Sequence, residues 1–107
     1  MQSLELPHTP TLKDFQEYVA MMYSQRGFEG QPLSALFMLL LEESGELAKA
    51  ARKVAAIKTR DEQGHSELQH EAADVFIFLL EICNHLGIDL EKAFRDKEDI
   101  NKQREWK

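Results

Sequence analysis

The sequence predicts an all-α protein that folds as one four-helix bundle-like domain over residues 1–107. Three observations support this expectation. Glycine and proline are scarce, with five and three in 107 residues, and they divide the chain into long segments. Within these segments the apolar residues recur with the period of a helix and show no strand-like alternation. The connections between segments are short, which is typical of neighbouring helices in a bundle.

The first two helices are expected over residues 12–26 and about 32–59, after a short lead-in of residues 1–10. Thr11 and Asp14 have the spacing of an N-cap and its acidic partner three residues on. Pro32 suits the first turn of the second helix, because a proline there lacks only an N–H that would have no partner anyway. One face of the first helix is apolar and consists of Leu12, Phe15, Val19 and Met22.

The third and fourth helices are expected over about 66–85 and about 90–106. Ser66 and Asp89 can each accept a hydrogen bond from the first turn of the helix that follows. Gly87 fits the position just after a helix end, where a left-handed backbone is common. The four helices therefore account for nearly the whole chain.

Composition and charge exclude several classes of protein. A net charge of −6 and a pI near 5.2 argue against binding to a nucleic-acid backbone, which requires a basic surface. Cys83 is the only cysteine, so neither an intrachain disulfide nor a cysteine zinc site is expected. No apolar run reaches membrane-spanning length, and the first ten residues lack the features of a signal peptide. We therefore expect a cytoplasmic protein without nucleic-acid or membrane partners.

Acidic residues interrupt the apolar faces of the second and third helices. At about 100° per residue, Glu43 lies in the middle of the apolar stripe of its helix and Glu46 lies at the edge. Glu71 and Asp74 repeat this arrangement on the next helix. Each acid alone could be an edge residue that reaches solvent or pairs with a cation. Four such acids on consecutive antiparallel helices favour a divalent ion, and oxygen-only ligands favour Mg²⁺ or Mn²⁺.

The fourth helix carries a different pattern of charged and polar residues. Lys97, Asn101 and Arg104 are spaced i, i+4, i+7, so they share a face. That face also carries the apolar residues Leu90, Ala93 and Phe94. Two cations and an amide on an apolar face favour an anionic partner. Four other charged residues of the second and third helices are expected to be ordinary solvated charges: Glu42, Lys49, Lys53 and Glu81.

Three segments of the sequence resemble the MazG-like all-α nucleoside triphosphate pyrophosphohydrolases. The segments are LLLEESGELAKAARK, EAADVFIFLLEICNHLGIDLEKAF and KEDINKQREW, and the resemblance covers roughly residues 33–106. The family signature, EExxE followed by ExxD, is matched by residues 42–46 and 71–74, with 24 residues between Glu46 and Glu71. The late K…N..R pattern of the family is matched by Lys97, Asn101 and Arg104.

The resemblance implies a Mg²⁺-dependent hydrolysis of nucleoside triphosphates to the monophosphate and pyrophosphate, with a role in cleaning the nucleotide pool. It implies a single-module enzyme that forms a homodimer or homotetramer, and the nearly all-apolar run 75–80 agrees with assembly. Glu42 would orient or deprotonate the attacking water, and the residues that contact the base stay open. By the same resemblance, the Mg²⁺ ligands would be Glu43, Glu46, Glu71 and Asp74, and the phosphates would be held by Lys97, Asn101 and Arg104.

Two other functions are compatible with a helical chain of this kind. A di-iron carboxylate bundle requires two Glu-x-x-His motifs and two further glutamates. Glu67 and His70 supply one such motif, and no second one lies within the predicted helices, which disfavours this function. A non-catalytic interaction module that keeps the acidic pattern is the other alternative, although the acids and the basic triad are all present.

Overall fold

The all-helical architecture expected from the sequence is confirmed. The structure is a computed structural model and describes residues 3–57 and 62–104, which contain helices and loops and no strand. Within these residues, no helix combines the length and the apolar character that crossing a membrane requires. The helices are α1 (Leu12–Gln25), α2 (Leu33–Ile57), α3 (Glu62–Leu86) and α4 (Leu90–Lys102).

Helix α1 begins and ends where local chemistry predicts. The Asp14 amide donates to the Thr11 hydroxyl at 3.2 Å, and the Thr11 amide donates to the Asp14 carboxylate at 2.9 Å, which completes a capping box. At the other end Gly27 adopts φ +77°, a left-handed conformation that glycine accepts at little cost. This turn lets the Phe28 amide donate back to the carbonyl of Tyr23 at 2.8 Å.

Helix α3 begins at Glu62, so the predicted N-cap at Ser66 is wrong. The polar stretch around Gly64 has the composition of a loop, yet one glycine costs a helix only about 1 kcal/mol. The predicted stop at Gly87 is confirmed by its φ of +69° and by the hydrogen bond from the Ile88 amide to the Cys83 carbonyl.

Helix α4 is shorter than the sequence predicts. Asp89 caps its start by accepting from the Lys92 amide at 3.1 Å, as expected. The helix ends at Lys102, with Gln103 as its C-cap, whereas the prediction extended it to about residue 106. Arg104 therefore lies beyond the last helical turn and does not continue the face that carries Lys97 and Asn101.

Helix α3 lies at the centre of the domain, as its apolar sequence predicts, and packs against both α2 and α1. Leu36 and Leu80 are the largest fully buried side chains of the described residues. Burial of aliphatic and aromatic groups of this size is the main stabilising contribution in a domain this small. The buried cluster consists of Val19, Met22, Tyr23, Leu36, Leu80 and Ile82.

A buried glutamine attaches the start of α4 to α1 and α3. The Gln16 side chain donates to the Ile88 carbonyl at 2.9 Å and accepts from the Leu90 amide at 3.0 Å. Asn84 donates to the Gln16 carbonyl at 2.9 Å. These bonds satisfy polar groups that burial would otherwise penalise, and they fix the turn from which α4 projects. Beyond that turn α4 packs on α1.

The exposed apolar surface does not lie where the sequence predicts. Within the run 75–80, Leu79 is the exposed residue, at 37%. The most exposed apolar side chains of α2 are instead Met38 and Leu41, at 70% and 72%. The radius of gyration is 16.6 Å, compared with about 13 Å for a compact chain of this length. The chain therefore leaves apolar helix faces without a packing partner among the described residues.

Candidate metal centre

Three carboxylates meet between α2 and α3. Glu43 lies in the middle of α2, and Glu71 and Asp74 lie one turn apart on α3. One carboxylate oxygen from each residue lies within 4.8 Å of the other two. The helices are antiparallel, because Glu43 meets Asp74 while Lys53, farther along α2, meets the earlier residue Glu67. We call Glu43, Glu71 and Asp74 the carboxylate cluster.

The other two predicted acids lie beside the carboxylate cluster. Glu46 is exposed and lines a cleft together with Glu71, so it adjoins the cluster without belonging to it. Glu42 is exposed, and its charge is one of those that raise the pKa of Glu43. From the sequence, Glu46 is a predicted Mg²⁺ ligand and Glu42 is the residue predicted to orient or deprotonate the attacking water, and both roles stay predictions.

The carboxylate cluster carries more negative charge than the protein compensates. The pKa of Glu43 is raised from 4.5 to about 7, first by a hydrogen bond with Glu71, then by burial, and then by the charges of Glu71, Asp74 and Glu42. Glu71 Oε2 is buried and has no hydrogen-bond partner among the described residues. Mutually repelling carboxylates with an unsatisfied oxygen match what a hard divalent cation requires. The residues present therefore fit Mg²⁺ or Mn²⁺.

Removal of divalent ions should make folding stability depend on pH through Glu43. Its pKa is about 7 in the folded protein against an ordinary 4.5, so the folded state holds the proton more tightly. The stability that protonated Glu43 gives to the folded state is fully present below the pKa of the unfolded chain, and it is lost as pH rises through the pKa of the folded protein. Thermal melts in EDTA from about pH 5 to about pH 8 should show a falling melting temperature. In Glu43→Gln the fall should be shallower, and an unchanged fall would contradict the assignment to Glu43.

A pocket on the α1 side adjoins the carboxylate cluster. It has a volume of about 300 Å³ and shares Asp74 with the cluster. Tyr23 and Phe28 make an edge-to-face contact in this region, with ring centroids 6.0 Å apart. Sequence reasoning missed this pocket, although Phe28, directly after the glycine that ends α1, was a visible signal. The remaining lining residues are Met22, Arg26, Gln31, Leu39, Ile77 and Phe78.

The basic triad predicted to bind phosphate does not line the pockets that adjoin the carboxylate cluster of the same chain. Lys97 and Arg104 are exposed and Asn101 is partly buried. All three lie on or just beyond α4, which packs on α1. None of them lines the two pockets that contain cluster residues.

The di-iron alternative gains no support from the geometry. Glu67 and His70 are both exposed, and the metal-binding group found among the described residues contains carboxylates and no histidine. A di-iron centre of this type requires histidine ligands beside its carboxylates.

Comparison with known proteins assigns the family. The MazG nucleotide pyrophosphohydrolase domain matches residues 31–105. Human dCTP pyrophosphatase 1 is 33% identical over 105 residues, covering 89% of this chain and 59% of that protein. A dATP/dGTP diphosphohydrolase of Cyanophage S-2L is 39% identical over 67 residues, covering 63% of this chain and 51% of that protein. The chain thus spans little more than half the length of these relatives. Because the family match covers more than half of it, the chain belongs to the MazG nucleotide pyrophosphohydrolase domain family.

Proposed function

We propose that the protein hydrolyses nucleoside or deoxynucleoside triphosphates to the monophosphate and pyrophosphate, with Mg²⁺ as the cofactor. The observation that carries this proposal is the convergence of Glu43, Glu71 and Asp74 at one point between α2 and α3. The family match supports nucleotide pyrophosphohydrolase chemistry. The relatives' names point to deoxynucleoside triphosphates as the first substrates to test.

Glu43, Glu71 and Asp74 would hold the Mg²⁺, with Glu46 as a fourth ligand from the adjoining cleft. When bound, Mg²⁺ supplies charge neutralisation at the phosphate oxygens and at the leaving pyrophosphate. Mn²⁺ has similar ligand preferences and is expected to substitute.

The reaction requires a water oxygen to bond to the α-phosphorus while the bond from that phosphorus to the α–β bridging oxygen breaks. The electron pair of the broken bond leaves with pyrophosphate. The attacking water must lose a proton, and we propose that the carboxylate of Glu42 accepts it. This side chain is exposed and next to Glu43 in sequence, so solvent can supply the water and later remove the proton.

The pocket on the α1 side is the proposed position of the nucleoside. It adjoins the carboxylate cluster through Asp74 and is walled by aromatic and aliphatic side chains. Aromatic rings stack on nucleobases of every type. Arg26 and Gln31 add hydrogen-bonding groups to this lining and are the candidates for reading the base. Clearance of unwanted nucleotides is the proposed role in the cell.

We also propose that the working form is a homodimer or a dimer of dimers. The exposed apolar residues of α2 and α4 need a partner surface, and a second copy of the chain supplies one. The phosphate-binding role proposed for Lys97, Asn101 and Arg104 also favours assembly, because none of the three lines a pocket that contains a cluster residue of its own chain.

The activity is tested by incubating the purified protein with Mg²⁺ and a panel of normal, deoxy and modified nucleoside triphosphates. We expect at least one of them to give a monophosphate and pyrophosphate in equal amounts. EDTA should stop the reaction, and added Mg²⁺ should restore it. Release of a diphosphate and single phosphate would contradict the assignment. Absence of turnover across the panel would favour the non-catalytic interaction module.

A further inference from the structure

We propose that Lys49 and Lys53 form a binding subsite for the pyrophosphate part of the substrate and for the pyrophosphate product. This inference rests on the proposed function and extends it to residues that the acidic signature and the basic triad leave out. The sequence predicted both lysines to be ordinary solvated charges.

The two lysines line a cleft that continues directly from the carboxylate cluster. The cleft lies between α2 and α3 and has a volume of about 260 Å³. Glu71 belongs both to this cleft and to the cluster. The remaining lining residues are Glu46, Ala50 and Glu67. A phosphate chain held at the cluster can therefore enter the cleft without leaving the groove between the two helices.

Both ammonium groups are available to a new anion. Lys49 is exposed and makes no ion pair among the described residues. Lys53 Nζ lies 3.8 Å from Glu67 Oε2, and both side chains are about half exposed. An ion pair of this length and exposure contributes little, so it does not compete strongly with a phosphate.

The order of features along the groove matches the order of groups in a nucleoside triphosphate. The α1-side pocket adjoins the cluster through Asp74, and the lysine cleft adjoins it at the opposite end through Glu71. Lys49 lies about 9 Å along the helix axis from Glu43, and helical side chains point back towards the helix N-terminus, which here is the direction of the cluster. In this order, the pocket would hold the base, the cluster would lie at the α-phosphate, and the cleft would hold the two outer phosphates.

Charge balance favours the same placement. The outer phosphates carry most of the negative charge of the substrate, and the cluster beside them is itself acidic. The basic triad of α4 does not line this groove in the same subunit. On the Glu71 side of the cluster, the cationic side chains that line the adjoining cleft are those of Lys49 and Lys53.

The test measures binding of magnesium pyrophosphate to the full chain by calorimetry. Lys49→Ala and Lys53→Ala should each weaken its affinity about tenfold, which corresponds to the loss of one charge-assisted hydrogen bond. Lys53→Arg should retain most of the affinity, because the positive charge remains. The matched control is Lys13→Ala, which removes an exposed lysine that lines a cleft on α1 without any cluster residue.

The same variants are then assayed for inhibition by the two products. Pyrophosphate should inhibit Lys49→Ala and Lys53→Ala less than the parent, whereas inhibition by the monophosphate should be unchanged. Unchanged pyrophosphate affinity in both variants, an equal loss in Lys13→Ala, or no binding by the parent would each overturn the subsite. Lysine-dependent pyrophosphate binding without any triphosphate turnover would instead support the subsite and contradict the proposed function.

Discussion

Glu71→Gln should reduce pyrophosphate release by roughly 10²–10³-fold or more, as expected when charge stabilisation at the reacting phosphate is lost. The metal-free protein should be no less stable than the parent. The parent carboxylate has one buried oxygen without a hydrogen-bond partner, and a neutral amide removes the repulsion with Glu43 and Asp74. Turnover assays and thermal melts in EDTA measure the two effects.

Added Mg²⁺ should raise the melting temperature of the parent and should do so much less in Glu71→Gln. A ligand at about 100 times its dissociation constant stabilises the folded state by about 2.7 kcal/mol. The matched control is Glu81→Gln, which neutralises another partly buried acid of α3, whose pKa is raised by burial and which lies outside the cluster. It should keep both turnover and the Mg²⁺ response. Retained turnover in Glu71→Gln, or a metal-free loss of several kcal/mol, would identify Glu71 as a structural ion-pair residue.

Leu41→Glu should convert the proposed assembly into monomers. Leu41 is 72% exposed within one subunit, so the substitution should leave the fold of the subunit intact. In a two-fold symmetric interface the change occurs on both partners, and burying two unpaired charges should weaken association by about 10²-fold or more. Sedimentation should give at least twice 12.4 kDa for the parent and 12.4 kDa for the variant.

Ala20→Glu is the control for this experiment. It adds the same charge at an exposed position of α1, on a cleft that α1 forms with the end of α3, and should leave the assembly unchanged. A folded parent that sediments as a 12.4 kDa monomer at micromolar concentration would contradict the proposed dimer.

The parts of the fold that were predictable depend on short-range chemistry. The capping box at Thr11 and the left-handed turn at Gly87 are set by residues within a few positions of each other. The start of α3 was not predictable from the same rules, because the polar stretch around Gly64 has the composition of a loop, while one glycine lowers helix stability by only about 1 kcal/mol. Local composition of this kind does not decide where a long helix begins.

The candidate site also has parts that the sequence predicts and parts that it does not. Helical periodicity placed Glu43, Glu71 and Asp74 on facing stripes, and the structure brings them together. Periodicity could not reveal that the α1-side pocket adjoins Asp74, because that contact joins residues far apart in sequence. It also grouped Arg104 with Lys97 on one helix, although the helix ends between them.

All three members of the carboxylate cluster belong to a single helical hairpin, since Glu43 lies on α2 and the other two lie on α3. An ion held there would act as a reversible cross-link between two segments of the chain. The ion would oppose separation of α2 from α3 directly, whereas α1 and α4 contribute no residue to the cluster. With the ion bound, local opening of the α2–α3 hairpin would depend on loss of the ion. Local opening of α1 and α4 would depend only on their own packing.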